Sequence, residues 1–170
     1  MCCLIGVVLS YCWVDYTRQL PSGDEIVSVL SAVGNQQTYE EVITDWQQHR
    51  RVVLVSDWQK LLQPQEYALK HISPDLGNLD IHPPLYFWLL HFCLLFFSSP
   101  LAAGLLLNAC LHLLAALGLY HLTKALNLSK GTFAGILIYW VFSPAIIGVG
   151  FYTRQYELLS CTGIYSSLFF

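Results

Sequence analysis

The chain has 170 residues, of which 55% are hydrophobic and only 11% charged, and its net charge is −3. Typical soluble domains carry roughly 25% charged residues, so the composition argues against an ordinary soluble domain, and the acidic balance gives a nucleic-acid partner no electrostatic support. Ten of the eleven acids and five of the eight bases fall between residues 15 and 80, whereas residues 81–170 hold only Lys124, Lys130, Arg154 and Glu157. A soluble fold cannot hide ninety nearly uncharged residues, so the second half reads as membrane-embedded.

In chain order, residues 1–14 form an apolar run without the basic start and small-residue cleavage site of a signal peptide. A helix over these residues rises about 20 Å, short of the ~30 Å hydrocarbon core, so the run reads as part of a first transmembrane helix. The sequence also stops within an apolar run, at Leu168, Phe169 and Phe170. The expectation is a truncated piece of a larger polytopic protein, inactive alone.

Residues 15–83 read as a first external loop of short amphipathic helices. Thr38-x-x-Glu41 has the pattern of a capping box, and Tyr39, Val42, Ile43 and Trp46 follow at helical spacing, closed by His49, Arg50 and Arg51. A second short helix is expected over 56–62. A third is expected to start at Pro64, with a turn at 73–77. Tryptophan-bearing stripes of this kind suit a membrane interface or packing on other protein.

Residues 84–170 read as apolar helices: 84–98 headed by Pro83 and Pro84, 101–122, 132–151 interrupted at Ser143 and Pro144, and 158–170, which is incomplete. Gly131-x-x-x-Gly135 offers a weak signal for close helix contact. His112 and His121 are nine residues apart and point to opposite sides of a helix, which disfavours shared haem or metal ligation. Hydrogen bonding between helices by His112 and Asn108 is the better expectation. The six cysteines, Cys2, Cys3, Cys12, Cys93, Cys110 and Cys161, lie in apolar runs and read as buried thiols.

The connection between the second and third apolar segments carries Lys124 and Lys130, and the 15–80 stretch carries a net −5. The positive-inside tendency puts the lysines in the cytoplasm and the acidic loop outside, which returns Arg154 to the outer face. Asn127-Leu128-Ser129 is a glycosylation sequon that this topology leaves on the cytoplasmic side, unmodified.

Three clusters could carry chemistry. Asp24 and Glu25 are adjacent carboxylates able to act as a general base or to hold a divalent cation; a solvated acidic turn or helix start is the plainer reading. Asp80 and His82 precede two prolines that restrict the backbone, with Tyr86 just after; substrate contact and a simple helix start fit equally. Arg154 lies between Tyr152 and Tyr156, where it either snorkels or clamps a phosphate.

Taken together, the order Asp24-Glu25, Asp80-x-His82-Pro83-Pro84-Leu85-Tyr86, Ser143-Pro144 and Arg154-x-Tyr156-x-Leu158 resembles the polytopic C-type membrane glycosyltransferases. More narrowly, it is similar to bacterial relatives of the protein O-mannosyltransferases and the lipid A aminoarabinose transferases. The resemblance spans nearly the whole chain and the N-terminal part of such an enzyme. It implies an all-α, multi-pass transmembrane bundle that transfers a sugar from a polyprenyl-phosphate donor to an acceptor on the extracytoplasmic face. In that pattern Asp24 is the catalytic residue with Glu25 beside it. His82 lies near the donor phosphate, Arg154 neutralises the leaving group, and Asp80, Tyr86 and Tyr156 complete the substrate-binding set. Some relatives bind a divalent metal and others do not; no cofactor is otherwise implied. Relatives often carry an arginine early in the helix after the His-Pro-Pro segment, where this chain has Leu101-Ala102-Ala103-Gly104. The competing reading is a small non-enzymatic integral membrane protein, a transporter subunit or assembly factor.

Overall fold

The computed structural model describes residues 22–49, 54–64, 68–79, 84–97, 99–143, 146, 148 and 152–169. Among them the fold is all-helical, with eight α-helices and no strand. The helices are α1 Gly23–Val33, α2 Gln36–His49, α3 Val55–Leu61, α4 Ala68–Leu79, α5 Pro84–Phe96, α6 Pro100–Ala125, α7 Lys130–Phe142 and α8 Tyr156–Ser166. The expected first transmembrane segment, 1–14, lies outside the described residues. The chain divides into two compact units, with the boundary just after Ala103 in the first turn of α6.

In the N-terminal unit, α1 packs against α2, α4 and α5, and α4 packs against α2 and α5. Its core is Val29, Leu30, Ala32, Val33, Ile72, Leu76, Tyr86, Phe87, Leu90 and Leu94. Helix α1 is fixed at both ends. Ser22 and Glu25 form a reciprocal capping box at its start. At its end Gly34 takes φ 73°, with Gly34 N–H donating to Ser31 and Asn35 N–H to Leu30. That is a Schellman closure, which needs a left-handed residue and so favours glycine. The His91 Nδ1 lies 2.9 Å from the Ala32 carbonyl and must be its donor, which ties α5 to the last turn of α1.

Two expectations about this region are corrected. Helix α2 begins at Gln36, not at a Thr38 cap, because the Asn35 carbonyl already accepts Tyr39 N–H. Helix α4 runs through Pro74 and Gly77 instead of turning at 73–77. Proline removes one helical hydrogen bond, but Ile72, Asp75 and Leu76 on either side of it are buried, and packing outweighs that loss.

In the C-terminal unit the contacts define the helix directions. Tyr120 meets Phe133, and His112 meets Trp140, so α6 and α7 form an antiparallel hairpin. Leu128 N–H donates to Thr123 and Asn127, at φ 54°, donates to Lys124, a second Schellman closure built on an asparagine. Ser129 then caps α7 by accepting from Thr132 N–H at 3.1 Å. His112 lies beside Glu157, and a Cβ at Gly118 would press on Ile164 and Tyr165. Helices α6 and α8 therefore run in the same direction.

Helix α6, at 26 residues, is about 39 Å long and is the one described helix long and apolar enough to cross a membrane. Helices α5 and α7 are apolar but only 13 residues each. The close approach expected at Gly131 and Gly135 is not present: a Cβ at Gly135 meets nothing, and one at Gly131 makes only ordinary contact. The tight positions are Gly104 and Gly118 on α6, the first of which leaves room for the Thr153 side chain and nothing more. Of the cysteines, Cys161 is buried, Cys93 half-buried and Cys110 exposed, so the expectation of buried thiols fails at Cys110.

Candidate functional site

The first candidate group lies at the start of α1. Asp24 is exposed, while Glu25 is 1% exposed. The Glu25 Oε2 accepts the Ser22 N–H at 2.8 Å, and the Ser22 hydroxyl accepts the Glu25 N–H at 3.4 Å. The adjacent acids thus have different tasks. Glu25 holds the helix start, and Asp24, exposed beside it, lies at a helix end that favours negative charge.

Tyr86, on α5, is fully buried and packs edge-on against Phe87 with centroids 5.6 Å apart. In this conformation it belongs to the core of the N-terminal unit. Asp80 and His82 lie outside the described residues. Sequence reasoning gave no role to Asp75 of α4, which is 7% exposed. Burial pushes its carboxyl above the ordinary range, opposed by the His71 charge one turn earlier. Its Oδ2 has no partner among the described residues.

The second group occupies the turn that leads into α8. The Tyr152 carbonyl accepts Arg154 N–H at 2.7 Å, an i to i+2 bond that makes residues 152–154 a γ-turn. The same carbonyl accepts from Asn108 Nδ2 of α6. Arg154 is half-buried beside exposed Tyr156. Three residues beyond Arg154, Glu157 is 1% exposed and its Oε1 lies 3.4 Å from His112 Nδ1. The His112 ring also packs against Trp140 at 5.5 Å. Hydrogen bonding between helices by Asn108 and His112, expected from the sequence, is therefore present; their partners Tyr152 and Glu157 were not foreseen.

Trp140 Nε1, Gln155 Oε1 and Glu157 Oε2 are buried without a partner among the described residues. Buried polar groups are normally satisfied, so this cluster combines low exposure with spare hydrogen-bonding capacity. Among the described residues no three His, Cys, Asp or Glu side chains converge as metal ligands.

Of the residues singled out from the sequence, Asp24, Glu25 and Tyr86 belong to the N-terminal unit, and Arg154 and Tyr156 to the C-terminal unit. No family model, no curated protein and no solved structure matches the chain.

Proposed function

We propose that this protein is a polytopic membrane glycosyltransferase, transferring a sugar from a polyprenyl-phosphate donor to an acceptor on the extracytoplasmic face. The observation that carries the reading is the course of the C-terminal unit. Helix α6 descends, α7 returns, and the Arg154 turn lies against Asn108 and Gly104, near the end where α6 begins. That course, with α7 antiparallel and α8 parallel to α6, supports a multi-pass topology. It is the topology drawn from Lys124 and Lys130.

The outward side chains support a lipid surrounding. Leu106, Leu114, Leu117, Ile138, Tyr139, Phe142 and Leu159 are exposed, and large outward apolar side chains of this kind suit lipid. The polar residues Asn108, His112 and Glu157 point inward.

In this reading Asp24 takes the proton from the acceptor hydroxyl as that oxygen attacks the anomeric carbon. The bond from that carbon to the phosphate oxygen breaks, and its electron pair leaves with the polyprenyl phosphate. Arg154 balances the charge growing on the phosphate through its planar fork, with Tyr156 beside it and His82 and Asp80 on the donor side. Glu25 supports Asp24 through the helix cap, and Tyr86 is part of the core of the N-terminal unit.

The test is donor turnover by the full-length protein of which this chain is expected to be the N-terminal part, in proteoliposomes supplied with a membrane extract as acceptor source. Release of polyprenyl phosphate from the sugar-loaded donor is expected, and Asp24→Asn should lower it at least 100-fold. Turnover that survives Asp24→Asn overturns the assignment of the base. A transporter subunit or assembly factor would release no polyprenyl phosphate in either form.

A further inference from the structure

Along one face of α6, the residues Gly104, Asn108 and His112 follow each other at intervals of four, so they lie in a row. Each meets a different part of the segment around Arg154. Gly104, lacking a side chain, admits Thr153, and any Cβ there would overlap it. Asn108 donates to the Tyr152 carbonyl, the same oxygen that accepts Arg154 N–H. His112 meets Glu157 in the first turn of α8. Asn108, His112 and Glu157 are 0%, 4% and 1% exposed. A three-residue turn has little rigidity of its own, and an isolated i to i+2 hydrogen bond does not hold it in one conformation. Here its first residue, its second residue and the helix that follows are each fixed to one rigid helix.

We propose that Asn108, His112 and Glu157 are positioning residues for Arg154, aiming its guanidinium at the phosphate of the lipid-linked donor. The inference rests on the assignment of Arg154 to that phosphate, and it adds a prediction that the assignment alone does not make. A planar fork binds phosphate well only when both donors are directed at it, so a loosened turn weakens binding without touching the ligand. Glu157 acts through its partner: His112 holds one carboxylate oxygen, and that contact fixes the helix turn from which the 152–154 segment departs. The row also accounts for the glycine at position 104, where the Thr153 side chain crosses the helix at backbone distance.

The experiment measures binding of a polyprenyl phosphate, without sugar, to the full chain in nanodiscs of uncharged lipid. Arg154→Ala should weaken binding about 50-fold, and Asn108→Ala and Glu157→Gln about tenfold each. In the Arg154→Ala background, neither of the latter should weaken it further, because both act through the arginine. A role confined to folding would instead lower the unfolding midpoint equally in both backgrounds and would leave the losses additive. The exchange His112→Glu with Glu157→His restores the contact and should recover most of the affinity.

Additive losses, or no recovery in the exchanged pair, overturn the positioning role while leaving Arg154 as the phosphate ligand. An Arg154→Ala variant that binds as tightly as the parent overturns the phosphate assignment and the positioning role with it. If Asn108→Ala does not fold, Glu157→Gln and the exchanged pair carry the same test.

Discussion

Helix α2 of the N-terminal unit and the helices of the C-terminal unit turn different residue types outward, although both units bury aliphatic side chains and both bury polar ones. In the N-terminal unit the described part of α2 turns Glu40, Glu41, Gln37, Thr44 and Gln48 outward, while aliphatic and aromatic side chains of α1, α4 and α5 form the core. In the C-terminal unit Leu114, Leu117, Ile138 and Phe142 are outside, while Asn108, His112, Gln155 and Glu157 are inside. A water-exposed helix gains by burying leucine. A helix in lipid has no such gain, because the surrounding tails are equally apolar, and its association depends on close packing and buried hydrogen bonds. On the proposed membrane reading, the contrast teaches that polar contacts inside the second unit add to its apolar packing what water-driven burial supplies in the first.

The comparison can be broken most decisively at the His112–Glu157 contact. His112→Ala should destabilise the C-terminal unit by about 3 kcal/mol, because it leaves Glu157 buried with neither carboxylate oxygen held by the histidine. Leu114→Ala, exposed on the same helix, should cost under about 1 kcal/mol. Denaturant titration in mixed micelles measures both, and equal costs would show that α6 is held by apolar burial after all.

The glycines give the next largest effect. Gly104→Ala forces a Cβ into the Thr153 side chain and should cost about 2 kcal/mol, whereas Gly135→Ala, with open space, should stay within about 0.5 kcal/mol. Amide exchange in α8 is the readout, since loss of the Gly104 contact should speed exchange there first.

Smaller effects distinguish the N-terminal unit. Ser22→Ala removes one half of the capping box and should cost about 1 kcal/mol, seen as faster exchange at the first turn of α1 and unchanged exchange in α6. Asp75 supplies a pH dependence. Its folded-state carboxyl is raised above the ordinary 3.8, so the folded state holds this proton more tightly than the unfolded chain. The stability it contributes is complete below the unfolded value and is lost as pH rises through the folded one. Asp75→Asn should therefore flatten the fall in stability on the basic side of pH 3.8. An unchanged pH profile would remove Asp75 from the account.

The legibility of the sequence followed the same division. Helix α6 was expected over 101–122 and spans Pro100–Ala125, because a long uncharged run bounded by Pro100 and Lys124 admits few alternatives. The break at Ser143 was likewise foreseen from Ser143 and Pro144. A helix start at Asp24 and Glu25 is among the readings the sequence offers, but its cap is not: Ser22-x-x-Glu25 spells the capping box that is expected instead at Thr38 and Glu41. The turn expected at Pro74 was overridden by burial of Ile72 and Leu76, which no local pattern reveals.

Within the candidate site, Asp24 and Arg154 are legible as the charges at a helix start and at the edge of an apolar run. Tyr86 was legible only as an aromatic near prolines, and such a residue packs inward or outward according to partners distant in sequence. Glu157 is the single acid after Asp80. It should have signalled a buried partner, because an acid in an apolar helix is costly unless it is paired. The signal was present, but the identity of the partner, His112, depends on the parallel course of α6 and α8, which spacing along the chain does not encode.

The central claim is that Asp24 and Arg154 face the same side of a bilayer, with the α6–α7 connection on the other. Single cysteines at Asp24, Arg154 and Asn127, in a background lacking the six native thiols, can be exposed to a membrane-impermeant maleimide in sealed vesicles of known orientation. Labelling of the first two from one side and of the third only from the opposite side is the predicted result. Labelling of Asp24 and Arg154 from opposite sides would contradict the account.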